Sequence, residues 1–201
     1  FWAFEKSAEE LAGIWTQEWT DGIGDTGIRP GFIKIAVNRD SLSEFHARLA
    51  RAAAITHLST GLTIASHTGP AIAAFPQIAI LREEGVSPEA FIWVHAQNEK
   101  DRSKIEEAAL MGAWISLDNV NERNYSQYAS MILSLKEKGL LNKVLVSHDA
   151  GWYDPGKPGG GDYRGYSTMF MRLIPALREG GITEDEIKQL FTVNPAEAFT
   201  V

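Results

Sequence analysis

The sequence predicts an α/β fold built on a parallel sheet, and three observations predict it. Short apolar runs rich in Ile, Val, Phe and Trp recur at 32–37, 62–68, 91–96, 114–118 and 143–149. Each is too uniformly apolar for a strand with one face in water and matches strands covered on both faces. Between the runs lie segments with helical spacing, most of them closed by a glycine.

The elements follow in order. Residues 42–59 carry Phe45, Leu49, Ala52 and Ala53 on one face, and Ser41 with Glu44 reads as a capping box. Residues 71–84 hold Ile72, Phe75, Ala79 and Ile80, with Gly85 placed to stop the helix. Ser87 and Pro88 suit a short N-capped turn before the strand at 91. Helices at 100–111 and 125–138 end at Gly112 and Gly139. Near the end, Thr183 with Glu186 reads as another capping box, and Asn194-Pro195 starts a final helical turn. No linker interrupts this order, so residues 1–201 read as one domain. The long irregular segment is 150–166, AGWYDPGKPGGGDYRGY, directly after the last strand.

Composition narrows the functional classes. A chain of 201 residues with 44% apolar content can bury a substantial core. The net charge is −7 and there is no basic run, which argues against nucleic-acid binding. The absence of cysteine excludes thiol nucleophiles, disulfides and Cys-based zinc sites within these residues, and indicates no compartment. No apolar stretch reaches transmembrane length. The opening FWAFEKSAEELAG is acidic and aromatic, unlike the basic start of a secretory signal.

Chemistry concentrates on Lys34, His67, His95 and Asp149, which close the runs GFIKIAV, LTIASHT, FIWVHA and KVLVSHD. They are spaced by 33, 28 and 54 residues, the last being two units of 27. That is about one β/α unit per step, which places four polar, metal-competent side chains around one mouth. In a barrel of such units the C-terminal strand ends carry the chemistry.

Each residue also has a plainer role open to it. Lys34 could snorkel to water or pair with a carboxylate; alternatively burial keeps its amine neutral, for a Schiff base or for carboxylation by carbon dioxide. His67 and His95 could be hydrogen-bonded structural histidines or imidazole ligands on adjacent strands. Asp149 could cap the following segment, or bind metal and accept a proton from water. His148 should point away from Asp149. His46 and His57 fall in the 42–59 helix as packing or surface residues. Trp152, Tyr153, Tyr163 and Tyr166 make the 150–166 loop a candidate substrate wall rather than a disordered glycine-rich excursion.

Two motifs mislead. GWYDPGK at 151–157 matches the start of a phosphate-binding loop, but Pro158 stands where Ser or Thr is needed and three glycines follow. Ser147-His148-Asp149 is a nucleophile, base and acid in a row, which alternating strand faces cannot assemble into a triad.

Several stretches in this order carry a resemblance. They are GIRPGFIKIAV, RAAAITHLSTGL, IASHT, ILREEGVSPEAFIWVHA, GAWISLD, KVLVSHDA, IPALREGGITEDEIKQLF and NPAEAF. Over nearly its whole length the chain resembles the phosphotriesterase-like family of the amidohydrolase superfamily. The resemblance implies a (β/α)8 TIM barrel with two divalent metals at its C-terminal mouth, of which this chain covers roughly the last five β/α units. It implies that Lys34 is carboxylated and bridges the metals. It also implies that His67 and His95 bind the more exposed metal, and that Asp149 binds the buried one and removes a proton from a bridging hydroxide. The implied reaction is hydrolysis, the hydroxide attacking a lactone, another carboxylic ester or a phosphotriester.

The inferred nitrogen and oxygen ligands suit zinc foremost, with manganese, cobalt or iron as alternatives. The expected partner is a small-molecule ester or lactone, with a homodimer as the assembly to test. Two departures accompany the resemblance. No H-x-H pair, the family's first-strand ligand motif, occurs in these residues, so the chain is expected to be part of a longer protein. Asn98 stands where the family usually has an aspartate of a proton shuttle, and Asn98 and His148 are expected one layer behind the ligands. Against the hydrolase stand a catalytically silent barrel used for binding or assembly, and a Schiff-base lyase using Lys34. An H-x-H after an apolar run in the preceding sequence of the full protein favours the enzyme.

Overall fold

The parallel sheet and its helical cover follow the predicted alternation. The computed structural model describes residues 2–200. Five strands, β1 (Ile33–Ala36), β2 (Ile64–His67), β3 (Phe91–Val94), β4 (Trp114–Leu117) and β5 (Val144–Val146), form one parallel sheet in sequence order. Helices α2 (Glu44–Thr60), α3 (Ala71–Glu83), α4 (Arg102–Leu110) and α5 (Tyr125–Glu137) make the four crossovers. The sheet pairs without a switch in order, so every strand delivers its C-terminal end to the same side.

One face of the sheet meets the helices. Ile33, Ile35, Ile64, Phe91, Trp93, Ile115, Leu117 and Val144 pack there with Ile78, Leu81, Ile105 and Ile132 into the main core. The alternate residues Ala65, Ile92, Trp114 and Leu145 form a smaller cluster on the other face, with Ala198. Period-two alternation therefore persists even though both faces are apolar. The polar residues within the strands are Lys34, Ser66 and Ser116, and His67 closes β2.

Buried polar contacts modify the helical stripes. In α3, Ile72 and Ala79 are exposed, contrary to the face expected from hydrophobicity, while Ala73, Ala74, Gln77 and Ile78 are buried. Gln77 explains the rotation: it pairs with Ser66 Oγ at 2.6 Å and its amide donates to Thr68 Oγ1 at 3.2 Å. The N-cap of α2 is Ser43, not Ser41, because Ser43 Oγ accepts the His46 amide and Glu44 already lies in the first turn. The expected turn at Pro88 and capping box at Thr183 are present. A helix the periodicity did not single out, α1 (Ala8–Asp21), begins at a Ser7–Glu10 capping box and buries Ala8 and Leu11 against Ala52 of α2. Within 150–166 the regular structure is a single turn at Pro158–Gly160.

The end of the chain closes the side opposite the mouth. Three short helices, α6 (Ile174–Glu179), α7 (Glu184–Lys188) and α8 (Asn194–Phe199), end it. Thr63, just before β2, donates its hydroxyl to Ala198 O at 2.7 Å. Fully buried Asn194 donates to Leu141 O at 2.8 Å and Val144 O at 2.7 Å. Asn194 thus joins α8 to the start of β5 and places its own buried amide hydrogens on two backbone carbonyls. In the intact protein, Asn194→Ala should lower stability by about 1–3 kcal/mol, whereas Ile72→Ala on the exposed face should stay within about 0.5 kcal/mol. Urea unfolding of both variants checks the contrast.

Candidate active site

The C-terminal strand ends gather His67, His95, Asp118 and Asp149 on one side of the sheet. His67 is the last residue of β2, paired in register with Ala36 of β1 and Val94 of β3. His95 follows β3 directly. Its Nε2 lies 3.1 Å from His67 Nδ1, with the rings edge to face at a centroid distance of 4.4 Å. Lys34 is not at a strand end: it pairs with Ala65, two residues below His67. That is about 6–7 Å deeper along the strand, a depth its four-carbon stem can span. Its ammonium donates to Ile35 O at 3.2 Å.

Asp149 lies beyond β5, which ends at Val146 rather than at 149. It has a left-handed backbone, φ 45°, as do His95 (φ 63°) and Asn119 (φ 74°), the three non-glycine residues with positive φ among those described. All three follow strand ends on the mouth side. Such conformations are disfavoured for residues with a Cβ and persist where neighbouring contacts hold them.

Electrostatics link the set. Burial pushes the Lys34 ammonium below the usual lysine range, opposed by the charges of Asp118 and Asp149. Burial also lowers His67, reinforced by His95 and Lys34 and opposed by Asp149. Both shifts lean toward the neutral forms, the ones that can react with carbon dioxide or offer a lone pair, and both side chains still reach solvent.

Asp118, which the sequence reading did not single out, organises the mouth. It is 4% exposed and follows β4. One carboxylate oxygen accepts from Ser116 Oγ at 2.8 Å and Ser147 Oγ at 2.7 Å. The other accepts the His95 backbone N–H at 2.8 Å and lies 3.5 Å from His95 Nδ1. Gln97 accepts the Asp118 amide at 3.0 Å, and the Tyr128 hydroxyl donates to its carbonyl. Burial, with Asp118 next, pushes the Tyr128 hydroxyl upward and keeps it a donor. A signal for Asp118 was present: it lies within the 54-residue gap between His95 and Asp149, at the end of the one strand run given no site residue.

The expected neighbours are placed less uniformly. His148 is buried and turned from the mouth, accepting the Met169 amide on Nε2 at 2.9 Å, and burial lowers its basicity. Asn98 is exposed in the turn after β3, and the contact with Asp118 is made by Gln97 instead. Tyr163 and Arg164 line a cleft of about 520 Å³ with Val120, Glu122, Arg123 and Thr168. Trp152 and Tyr153 border a separate hollow within their own loop. Tyr166 reaches back to Ala150 O at 3.1 Å.

The donor set can be tested against a metal ion. Two imidazole nitrogens on one tetrahedral ion stand about 3.3 Å apart, from bonds of about 2.0–2.1 Å. The observed 3.1 Å between His67 Nδ1 and His95 Nε2 fits that spacing. Among the described residues no group of three or more His, Asp or Glu converges as a complete metal site. Further donors would have to come from a carboxylated Lys34 or from outside these residues.

Comparison with known proteins agrees with this architecture. The profile of the phosphotriesterase family matches residues 3–199. The aryldialkylphosphatase of Saccharolobus solfataricus is 28% identical over 216 residues, covering 100% of this chain and 67% of that protein. The phosphotriesterase homology protein of Escherichia coli is 27% identical over 198 residues, covering 96% of this chain and 67% of that protein. A crystal structure of the E. coli phosphotriesterase homology protein, with phosphate in its active site, superposes with a TM-score of 0.88 at 25% identity, covering 98% of this chain and 69% of that one. The chain belongs to the phosphotriesterase family, and its five β/α units are part of that family's barrel. It spans about two thirds of the length of these relatives.

Replacing Asp118 by Ala leaves the His95 N–H and the Ser116 and Ser147 hydroxyls without this acceptor. Asp118→Ala should therefore cost about 1–3 kcal/mol, while Asn98→Ala should stay within about 0.5 kcal/mol. Equal unfolding midpoints for the two variants would remove Asp118 from its organising place.

Proposed function

We propose that this phosphotriesterase-family chain carries most of the site of a binuclear metal-dependent hydrolase. Its substrate is a lactone or another carboxylic ester first, and a phosphotriester second. Membership of the family supports hydrolysis. The observation that carries the finer reading is the His67–His95 pair at ligand spacing, backed by buried Asp118, with Lys34 and Asp149 near enough to interact electrostatically. The preference for lactones rests on family analogy, since a fold does not fix a substrate.

Each residue takes a role its surroundings permit. His67 and His95 would hold the more exposed metal, and Asp118 accepts the His95 N–H and so fixes the turn that aims the ring. Lys34, its ammonium shifted toward the neutral amine, would react with carbon dioxide to give a carbamate and a released proton, and its carboxylate-like oxygens would help hold the metals. Asp149 would bind the buried metal and accept the proton from the attacking water. It then returns that proton to the departing alkoxide, so that the ester C–O or P–O bond breaks with charge balanced. Two bound divalent ions supply a water acidic enough to ionise near neutral pH and polarise the ester. Zinc suits this donor set, as do manganese, cobalt or iron. The cleft lined by Tyr163 would take part of the substrate, and the E. coli relative holds phosphate in its active site.

In the full-length protein, Asp149→Asn should reduce kcat by about 10²–10⁴-fold with most of the fold intact. Lys34→Ala should lose metal, with partial rescue of metal content and turnover by formate or acetate. Two retained metals and wild-type activity in Lys34→Ala would refute the bridge. Borohydride reduction with a carbonyl substrate should leave no adduct on Lys34; a trapped adduct would favour a Schiff-base enzyme.

A further inference from the structure

The irregular segment 150–166 returns to its own beginning. The Gly151 amide donates to Arg164 O at 2.9 Å, and the Tyr166 hydroxyl donates to Ala150 O at 3.1 Å. Gly151, at φ 77°, has no room for a side chain, because a Cβ would lie 1.6 Å from the Tyr166 oxygen. The closure is therefore a fitted contact between 149–151 and 164–166.

Two side chains from this segment converge on one atom, the backbone carbonyl oxygen of Asp149. Trp152 Nε1 donates to it at 2.8 Å, and an Arg164 terminal nitrogen donates to it as well. The other terminal nitrogen of Arg164 donates to Asn119 Oδ1. Asn119 is itself anchored, its carbonyl accepting from Asn121 Nδ2 at 2.9 Å and Asn124 Nδ2 at 2.8 Å at the start of α5. One planar guanidinium thus ties the left-handed residue after β5 to the left-handed residue after β4. Lysine has one ammonium in place of this fork and cannot copy the geometry.

We propose that Arg164 and Trp152 are positioning residues that hold Asp149 in its left-handed conformation and so aim its carboxylate into the mouth. The proposal rests on the proton-transfer role given to Asp149 above. It moves Trp152 from substrate wall to support, since its indole N–H is spent on the protein's own backbone. A carboxylate directed from a disfavoured backbone needs such ties, because relaxation to the extended region swings the side chain away. A displacement of about 1 Å at a catalytic group can reduce turnover roughly 100-fold.

The test uses the metal-loaded full-length protein with a chromogenic lactone or aryl ester. Arg164→Ala should lower kcat by about 10–100-fold, with KM within about twofold, when assayed at saturating metal. Added guanidinium ion, but not ammonium, should restore part of kcat, and Arg164→Lys should recover little. Trp152→Phe, which keeps the ring and removes the N–H, should lower kcat severalfold without raising KM. Amide hydrogen exchange at 149–151 should quicken in both variants, a readout independent of turnover. In an Asp149→Asn background, Arg164→Ala should add no further loss. A rise in KM with kcat unchanged would make Arg164 a substrate contact, and wild-type kcat and exchange in Arg164→Ala would equally overturn the proposal. If Asp149→Asn itself keeps full activity, the hydrolase reading fails instead, so the two failures are distinct.

Discussion

The buried carboxylate of Asp118 is the constraint on which the mouth depends. It sits between the ends of three strands and accepts from Ser116 of β4, Ser147 beyond β5 and the amide of His95 beyond β3. A carboxyl group with 4% exposure is tolerable only when its polar atoms are met, and here three donors meet them. Because one donor is the His95 backbone N–H, the carboxylate also fixes the left-handed turn that carries the imidazole toward His67. The turn that brings the two rings to 3.1 Å is thus held at its start by a buried, fully partnered carboxyl group.

Much of this was legible from residue order. Five apolar runs predicted five parallel strands, because burial on both faces leaves a continuous apolar imprint. Their polar terminal residues predicted a common mouth, and His67 and His95 meet there. Register was not legible. Lys34 lies inside the run GFIKIAV and pairs with Ala65, a level below His67. A pattern of residue types shows which face a side chain takes but not its height on the neighbouring strand. Asp118 escaped notice for a related reason: a buried acidic residue among apolar neighbours looks like a strand terminator until its serine donors are brought beside it in space. The rotation of α3 has the same origin, since Gln77 is buried for its bonds to Ser66 and Thr68 rather than for its apolarity.

The loop after β5 shows a division between what aromatic content suggests and what hydrogen bonding assigns. Four aromatic residues in a glycine-rich segment suggested a surface facing substrate. In the structure Tyr166 and Trp152 direct their polar atoms to the carbonyls of Ala150 and Asp149, while Tyr163 lines the cleft. The loop combines a lining with a brace, and Arg164 joins the brace to the neighbouring strand end. That arrangement would couple the glycine- and aromatic-rich loop to the residue that carries the Asp149 carboxylate.

The central claim is that Lys34, His67, His95 and Asp149 serve one binuclear centre, and the most direct measurement is metal stoichiometry of the full-length protein together with crystallographic density at the Lys34 Nζ. The account predicts two divalent ions per chain and planar density extending from Nζ as a carbamate between them. An unmodified amine at Lys34, with no metal bound after equilibration with zinc and bicarbonate, would contradict it.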